Sequence, residues 1–463
     1  MNIILHYFDS VSEILKQYYI KPKPKESKGN RETIKGERKR ISSTVLKIQL
    51  PQFGALSKIF ESKIVLNVKD YGAKGDGIED DTQAFADVWN KACSSKIESR
   101  IIIPDESSYL LRPINLAGSC HSKITLMIFG SIVAPSNPDV WNGNDTHKWI
   151  YFHGVDHLTV EGGGTINGMG QEWWASSCKI NPKNPCRHAP TAITFHKCNN
   201  LVVKNLIIRN GQQMQMAFTN CDRVSVSHVS LFAPSWSPNT DGIHISSSTN
   251  VEVKDSVIRT GDDCISIVSN SSKIDVRRIF CGPGHGISIG SLGKSGTCDQ
   301  VYDVSVRGAI LSNTENGVRI KTWQGGSGFV KNVKFDDIWM QNVSNPIIID
   351  QYYCDSNTPC PNKTCGINVE NISYVNIRGT SATKEAIRFA CSDVAPCEGL
   401  FLEDVYLVSS FDDVTTTSFC WEATGTTSGT IYPPLCYYSN SATFIKHIVS
   451  YIPSLQPIES IML

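Results

Sequence analysis

The chain has 463 residues, 40% of them hydrophobic, with 44 basic and 44 acidic side chains. That composition excludes a disordered polymer and supplies apolar surface for a large core. The charge balance is uneven, since residues 1–47 hold 11 of the basic and 5 of the acidic groups, and the acidic remainder excludes general nucleic-acid binding.

The opening "MNIILHYFDSVSEILKQYYI" has no sustained apolar stretch between a basic start and a small-residue cleavage site, so it reads as neither a secretory leader nor a membrane span. The following "KPKPKESKGNRETIKGERKR" is a solvated charge run. Next, "VLNVKDYGAKGDGIEDDTQAFADVWNKAC" carries one of the few helical patterns, Thr82 to Cys93, with Asp80 and Asp81 as candidate caps.

From about residue 190 a short pattern returns. An apolar-x-apolar strand (Ile193/Phe195, Ile243/Ile245, Ile265/Ile267, Ile287/Ile289, Val318/Ile320, Ile347/Ile349, Ile387/Phe389) precedes a polar turn. A second strand follows the turn (Leu201/Val203, Val224/Val226, Val251/Val253, Ile274/Val276, Val304/Val306, Val333/Phe335, Leu400/Leu402). Ile245, Ile267 and Ile289 recur every 22 residues. Many short period-2 strands at that interval predict an all-β solenoid of parallel strands, a β-helix, with the Thr82–Cys93 helix covering its N-terminal end. A propeller blade would need four strands in about 40 to 45 residues.

The repeat gives meaning to "RTGDDCISI". Alone, Gly261-Asp262-Asp263 is an ordinary turn sequence. In register, however, Asp241, Asp263 and His285 each stand two residues before an inward isoleucine, so they are expected in one column about 4.8 Å apart. Asp262 joins them if the chain bends at Gly261. In "GVRIKTW", Arg319 and Lys321 alternate with inward Val318 and Ile320, hence share the outer face. Clustered carboxylates separate their pKa values, as acid and base catalysis at a glycosidic bond requires. The adjacent cations suit a carboxylated substrate, which points to an acidic polysaccharide. His244 faces outward beside Asp241. Trp236 and Trp323 suit either sugar stacking or turn packing.

Sixteen cysteines without a CxxC pair favour disulfides over metal ligands, and five Asn-x-Ser/Thr sequons (Asn144, Asn270, Asn342, Asn362, Asn371) accord with export.

"SPNTDG" (237–242), "GDDC" (261–264), "GHG" (284–286) and "RIK" (319–321) resemble, in order and spacing, the signature motifs of the polygalacturonases, glycoside hydrolase family 28, plant type. The likeness runs from about Val65 to Cys436. It implies a right-handed parallel β-helix that hydrolyses α-1,4-galacturonosyl bonds of pectin with inversion, extracellularly, without cofactor or metal, and as a monomer. By resemblance Asp262 is the general acid, Asp241 and Asp263 hold and activate water, and His285 supports the acid's protonation. Arg319 and Lys321 bind the uronate, as do Asn239 and, from "DQYYC", Tyr353; Tyr352 beside it leaves that alignment open by one residue. The family pattern also pairs Cys264 with Cys281. The coil spacing of about 5 Å by itself suits retention, whereas inversion generally needs roughly 6.5 to 9.5 Å.

The organisation expected is a basic, disordered segment over 1–62, a β-helix catalytic domain over 63–436 and an atypical tail over 437–463. Endo action is expected; exo action or a rhamnogalacturonan substrate is the near alternative. A pectate lyase or an inactive pectin-binding β-helix is more remote, because elimination would not need this Asp/His set and no catalytic carboxylate is missing.

Overall fold

The computed structural model describes residues 63–141, 147–356, 360 and 363–436. The expected segments 1–62 and 437–463, with the sequons at Asn144 and Asn362, lie outside the described residues.

The described chain is a parallel β-helix. Strands collect into a 17-stranded and an 11-stranded sheet, and pairing between successive coils is parallel throughout, as in Ile243↔Ile265↔Ile287↔Val318↔Ile347↔Ile387. The inward line on the second sheet is equally continuous, Leu201↔Val224↔Val251↔Ile274↔Val304↔Val333↔Ile372↔Leu400. These side chains are buried in one core that runs along the solenoid, and within it Phe195 stacks on Phe152 at 5.1 Å and on Phe218 at 5.4 Å. Coil-on-coil stacking of identical inward positions is what removes this apolar surface from water.

Each coil turns one more corner than the strand pattern suggests. Asn205, His228, Asp255, Arg278, Gly308, Asp337, Asn376 and Asp404 occupy matching points inside the long strands, all with positive φ. A left-handed residue within an extended run redirects the chain, and Asn and Asp tolerate that conformation better than other side-chain-bearing residues. A third inward line, Ile208↔Leu231↔Ile258↔Cys281↔Leu311↔Met340, follows the corner.

Coils also begin earlier than residue 190, with Ile64–Asn67, Ser99–Ile103, Ile124–Ile128 and Leu158–Glu161 stacked in parallel. Another strand missing from the sequence pattern is Met216–Thr219, where Ala217 breaks the apolar-polar alternation. The Thr82–Cys93 helix forms, with Phe85 and Trp89 buried; Trp89 packs edge-on against Phe152 at 5.4 Å. Asp80 caps it, accepting from the Thr82 N–H at 3.0 Å. Asp81 does not. Its carboxylate instead receives the N–H groups of Lys74 and Gly75, at 2.6 and 3.2 Å, and so holds the "YGAKGDG" loop.

Six disulfides form: Cys93–Cys120, Cys178–Cys186, Cys264–Cys281, Cys354–Cys360, Cys391–Cys397 and Cys420–Cys436. No helix among the described residues is long and apolar enough to cross a membrane.

Candidate active site

Three turns deliver the expected residues to one edge of the 11-stranded sheet, each just before its strand: Ile243–Ser246, Ile265–Ile267 and Ile287–Leu292. Their backbones stay in register, Gly242 N–H donating to the Asp263 carbonyl at 2.9 Å and Cys264 N–H to Gly286 at 2.8 Å. Gly261 is required here. A Cβ on it would lie 2.1 Å from the carbonyl oxygen of Ser237, so only glycine lets "GDDC" sit against the "SPNTDG" loop.

Although the backbones align, the side chains do not form the single column that the spacing suggests. Asp263 turns into the protein, 1% exposed. Its Oδ1 accepts from Ser288 Oγ and Arg319 Nη2, both at 2.7 Å, and its Oδ2 from Lys321 Nζ at 2.8 Å. His285 pairs instead with Asp262, Nδ1 to Oδ1 at 3.1 Å, while its Nε2 lies 3.2 Å from Glu315. Asn239 donates to Asp262 Oδ2 at 3.4 Å. Asp241 accepts from Ser266 Oγ at 2.7 Å, and that hydroxyl also meets His244 Nδ1 at 2.8 Å. The sheet face thus carries a row, His244↔Ser266↔Ser288↔Arg319, whose members hold the two buried carboxylates.

Arg319 and Lys321 are less exposed than an open outer face would leave them, at 8% and 7%, because a buried carboxylate draws both inward. Arg319 also donates through Nε to Ser288 at 3.0 Å. Tyr353 stands at the cluster, its ring 5.3 Å from Lys321 Nζ and edge-on to Trp323 at 5.5 Å. Tyr352 faces away and donates to Asp393 at 2.8 Å. Trp236 is exposed and packs edge-on against Trp174. Cys264–Cys281 ties the "GDDC" turn to the strand that ends just before the His285 turn. Ser266, Ser288 and Glu315 went unnoticed in the sequence; the only signal for the serines was their place between two inward isoleucines.

These contacts separate the carboxylates electrostatically. Burial pushes the Asp241 carboxyl above its usual range, and the neighbouring charge of Asp262 adds to the shift. Burial acts on Asp263 too, but Arg319 and Lys321 outweigh it and hold that carboxyl below the usual range. Burial would lower His285; the hydrogen bond and charge of Asp262, with Glu315, raise it instead. Tyr353 is pushed up to about 12, mainly by burial. Asp262, Asp263 and His285 also bring three potential metal-ligand atoms within 4.8 Å of one another, but both Asp263 oxygens already receive cationic donors, which makes a poor cation site.

Residues 93–429 match the model of glycosyl hydrolases family 28. The chain is 56% identical over 402 residues to a "probable polygalacturonase" of Arabidopsis thaliana, covering 87% of this chain and 90% of that protein. It is 50% identical to a polygalacturonase of Persea americana, covering 76% of each. Among solved structures it resembles an exopolygalacturonase of Thermotoga maritima, with a TM-score of 0.66 at 20% identity over 78% of this chain and 90% of that one; that likeness concerns the fold. The chain belongs to the glycosyl hydrolases family 28.

Proposed function

We propose that the enzyme hydrolyses α-1,4-galacturonosyl bonds in de-esterified pectin, with inversion. Asp262 gives its proton to the glycosidic oxygen as the C1–O bond breaks. A water held by Asp241 and Asp263 attacks C1 from the opposite face and passes its proton to one of them. Base strength rises with pKa, which favours Asp241 as acceptor, while the ionised Asp263 orients the water. His285, braced by Glu315, keeps a proton beside Asp262. The observation that carries this reading is the ion triad of Asp263 with Arg319 and Lys321 facing Asp262. It fixes one carboxylate as an anion, and it leaves donors on both cations for a substrate carboxylate. Tyr353 and Asn239 complete the substrate contacts.

Endo action is part of this reading, with exo action as the alternative that the viscosity measurement separates from it. Six disulfides support an extracellular location. Incubation with polygalacturonic acid tests the reading: reducing ends appear and viscosity falls early. Proton NMR of the first product shows the β-anomer from an α-linkage. Unsaturated products would identify a lyase, a late viscosity drop an exo-enzyme, and an α-anomer retention.

A further inference from the structure

The three catalytic carboxylates are held differently. Asp263 has two cations and Asp262 has His285 and Asn239, but Asp241, 8% exposed, pairs with no lysine or arginine among the described residues. There, one hydrogen-bond donor reaches its carboxylate, Ser266 Oγ at 2.7 Å from Oδ2. Ser266 is itself 2% exposed and stands between the inward Ile265 and Ile267, on the coil after that of Asp241.

Ser266 has one hydroxyl proton and two neighbours able to accept it. His244 Nδ1 lies 2.8 Å from the same oxygen and 3.9 Å from Asp241 Oδ2. An ionised carboxylate only accepts, so with Asp241 ionised the hydroxyl proton goes to Oδ2 and the Nδ1–H of His244 fills the serine oxygen. The next coil repeats the device. Ser288 stands 25 residues beyond Asp263, as Ser266 does beyond Asp241. It donates to Asp263 and receives Arg319 Nε, and a guanidinium cannot accept, which settles the direction there. Asp262 and Asp263 face Asp241 from the following coil and His244 from its own strand. Gln215 and Ala217 on the preceding coil carry no charge, while His285, Arg319 and Lys321 are turned to the other two aspartates. Burial and the two acidic neighbours favour the protonated form of Asp241, and a hydroxyl donated to the carboxylate works against them.

We propose that Ser266 is a positioning residue for Asp241: its hydroxyl, oriented by His244, keeps that carboxylate ionised and aimed at the attacking water. This rests on the reading above of Asp241 as the group that takes the water's proton. With Oδ2 tied to the serine, Oδ1 is left for the water. Ser266 is too deeply buried to touch substrate, so it acts through Asp241.

The test is the kcat/KM–pH profile on polygalacturonate, which reports ionisations of the free enzyme. Without the donor, Asp241 binds its proton more tightly and stays protonated to higher pH. In Ser266→Ala the acid limb is therefore expected to move up by about one pH unit, the scale of one hydrogen bond to a charged group, with KM unchanged on the high-pH side. Ser266→Thr keeps the hydroxyl and with it the wild-type limb. Should Ser266→Ala fail to fold, as read by circular dichroism, Ser266→Cys offers similar volume with a weaker donor, and the limb is again expected to rise. An unmoved limb in a folded Ala or Cys variant, or a loss equal at every pH, would overturn the proposal. Near-normal turnover in Asp241→Asn would instead refute Asp241 as the base, which is a separate outcome.

Discussion

Asp263 is fully buried, and it remains an anion because Arg319 and Lys321 each donate to it. A carboxylate with a depressed pKa stabilises the fold above its unfolded value near 3.9, and this contribution is lost as pH falls through the depressed value. Lys321→Ala removes one cation, so the Asp263 pKa rises and its stabilising contribution is lost at higher pH; denaturant melts across the acid range should show stability falling from a higher pH than in the wild type, and an unmoved onset would separate Asp263 from that ionisation. Because both cations serve this carboxylate, Arg319→Ala and Lys321→Ala are expected to impair esterified as well as de-esterified pectin, with the de-esterified substrate losing more. His285 has the opposite sign. Its raised pKa means that its stabilising charge is complete below about 6.5 and lost as pH rises through the raised value, so the wild-type kcat/KM–pH profile is expected to fall on the alkaline side through that ionisation and His285→Ala to lack that limb. Asp262→Asn keeps the shape but cannot deliver a proton, and its rate is expected to fall by roughly 10² to 10⁴ with an unchanged circular-dichroism spectrum.

At the level of elements, the site depends on turns rather than strands. Gly261→Ala would drive a methyl group into the backbone oxygen of Ser237, pushing "GDDC" away from "SPNTDG" and separating Asp262 from Asn239 and Asp241. Displacement of about 1 Å costs about 10²-fold in rate, so single-turnover kinetics should show a large loss in the chemical step, and because the clash is with backbone atoms the melting temperature should fall as well. The Cys264–Cys281 bridge, spanning 17 residues, restrains the same turn. Its removal in Cys264→Ala/Cys281→Ala is expected to destabilise the protein by about 3 kcal/mol, measured by denaturant melts. Equal stability would mean that the stacked coils alone hold the turn.

Across the whole molecule, turns along one edge of the 11-stranded sheet carry Asp241, Asp262, Asp263 and His285, and the strand Asn316–Thr322 of that sheet carries Arg319 and Lys321. Every second residue of a strand points outward, and each coil adds one step of about 4.8 Å, so the parallel stack turns separate segments into a linear track for a linear polymer. No step in the proposed reaction runs through a metal ion, and both Asp263 oxygens are taken by cations. Activity on polygalacturonate is therefore expected to survive exhaustive chelation, with initial rates before and after chelation as the measurement. Restoration by calcium alone would point to a lyase.

The amino-acid sequence by itself determined the parallel coil. Inward residues such as Ile243, Ile265 and Ile287 recur at a spacing that only stacking can satisfy, and local alternation is written in the chain. Asp241, Asp262, Asp263, His285, Arg319 and Lys321 were likewise legible, because their motifs precede or occupy those strands. Three features were decided only by the tertiary structure. Which carboxylate each cation holds depends on side-chain direction at turns, where period-2 alternation does not apply, so Asp263 met Arg319 and Lys321 while Asp262 met His285. The corner residues from Asn205 to Asp404 act through backbone φ, a property their side-chain types permit but do not dictate. The pairing of Ser266 with Asp241, 25 residues away, exists because two coils stack, and no local pattern in either segment encodes the identity of its neighbour.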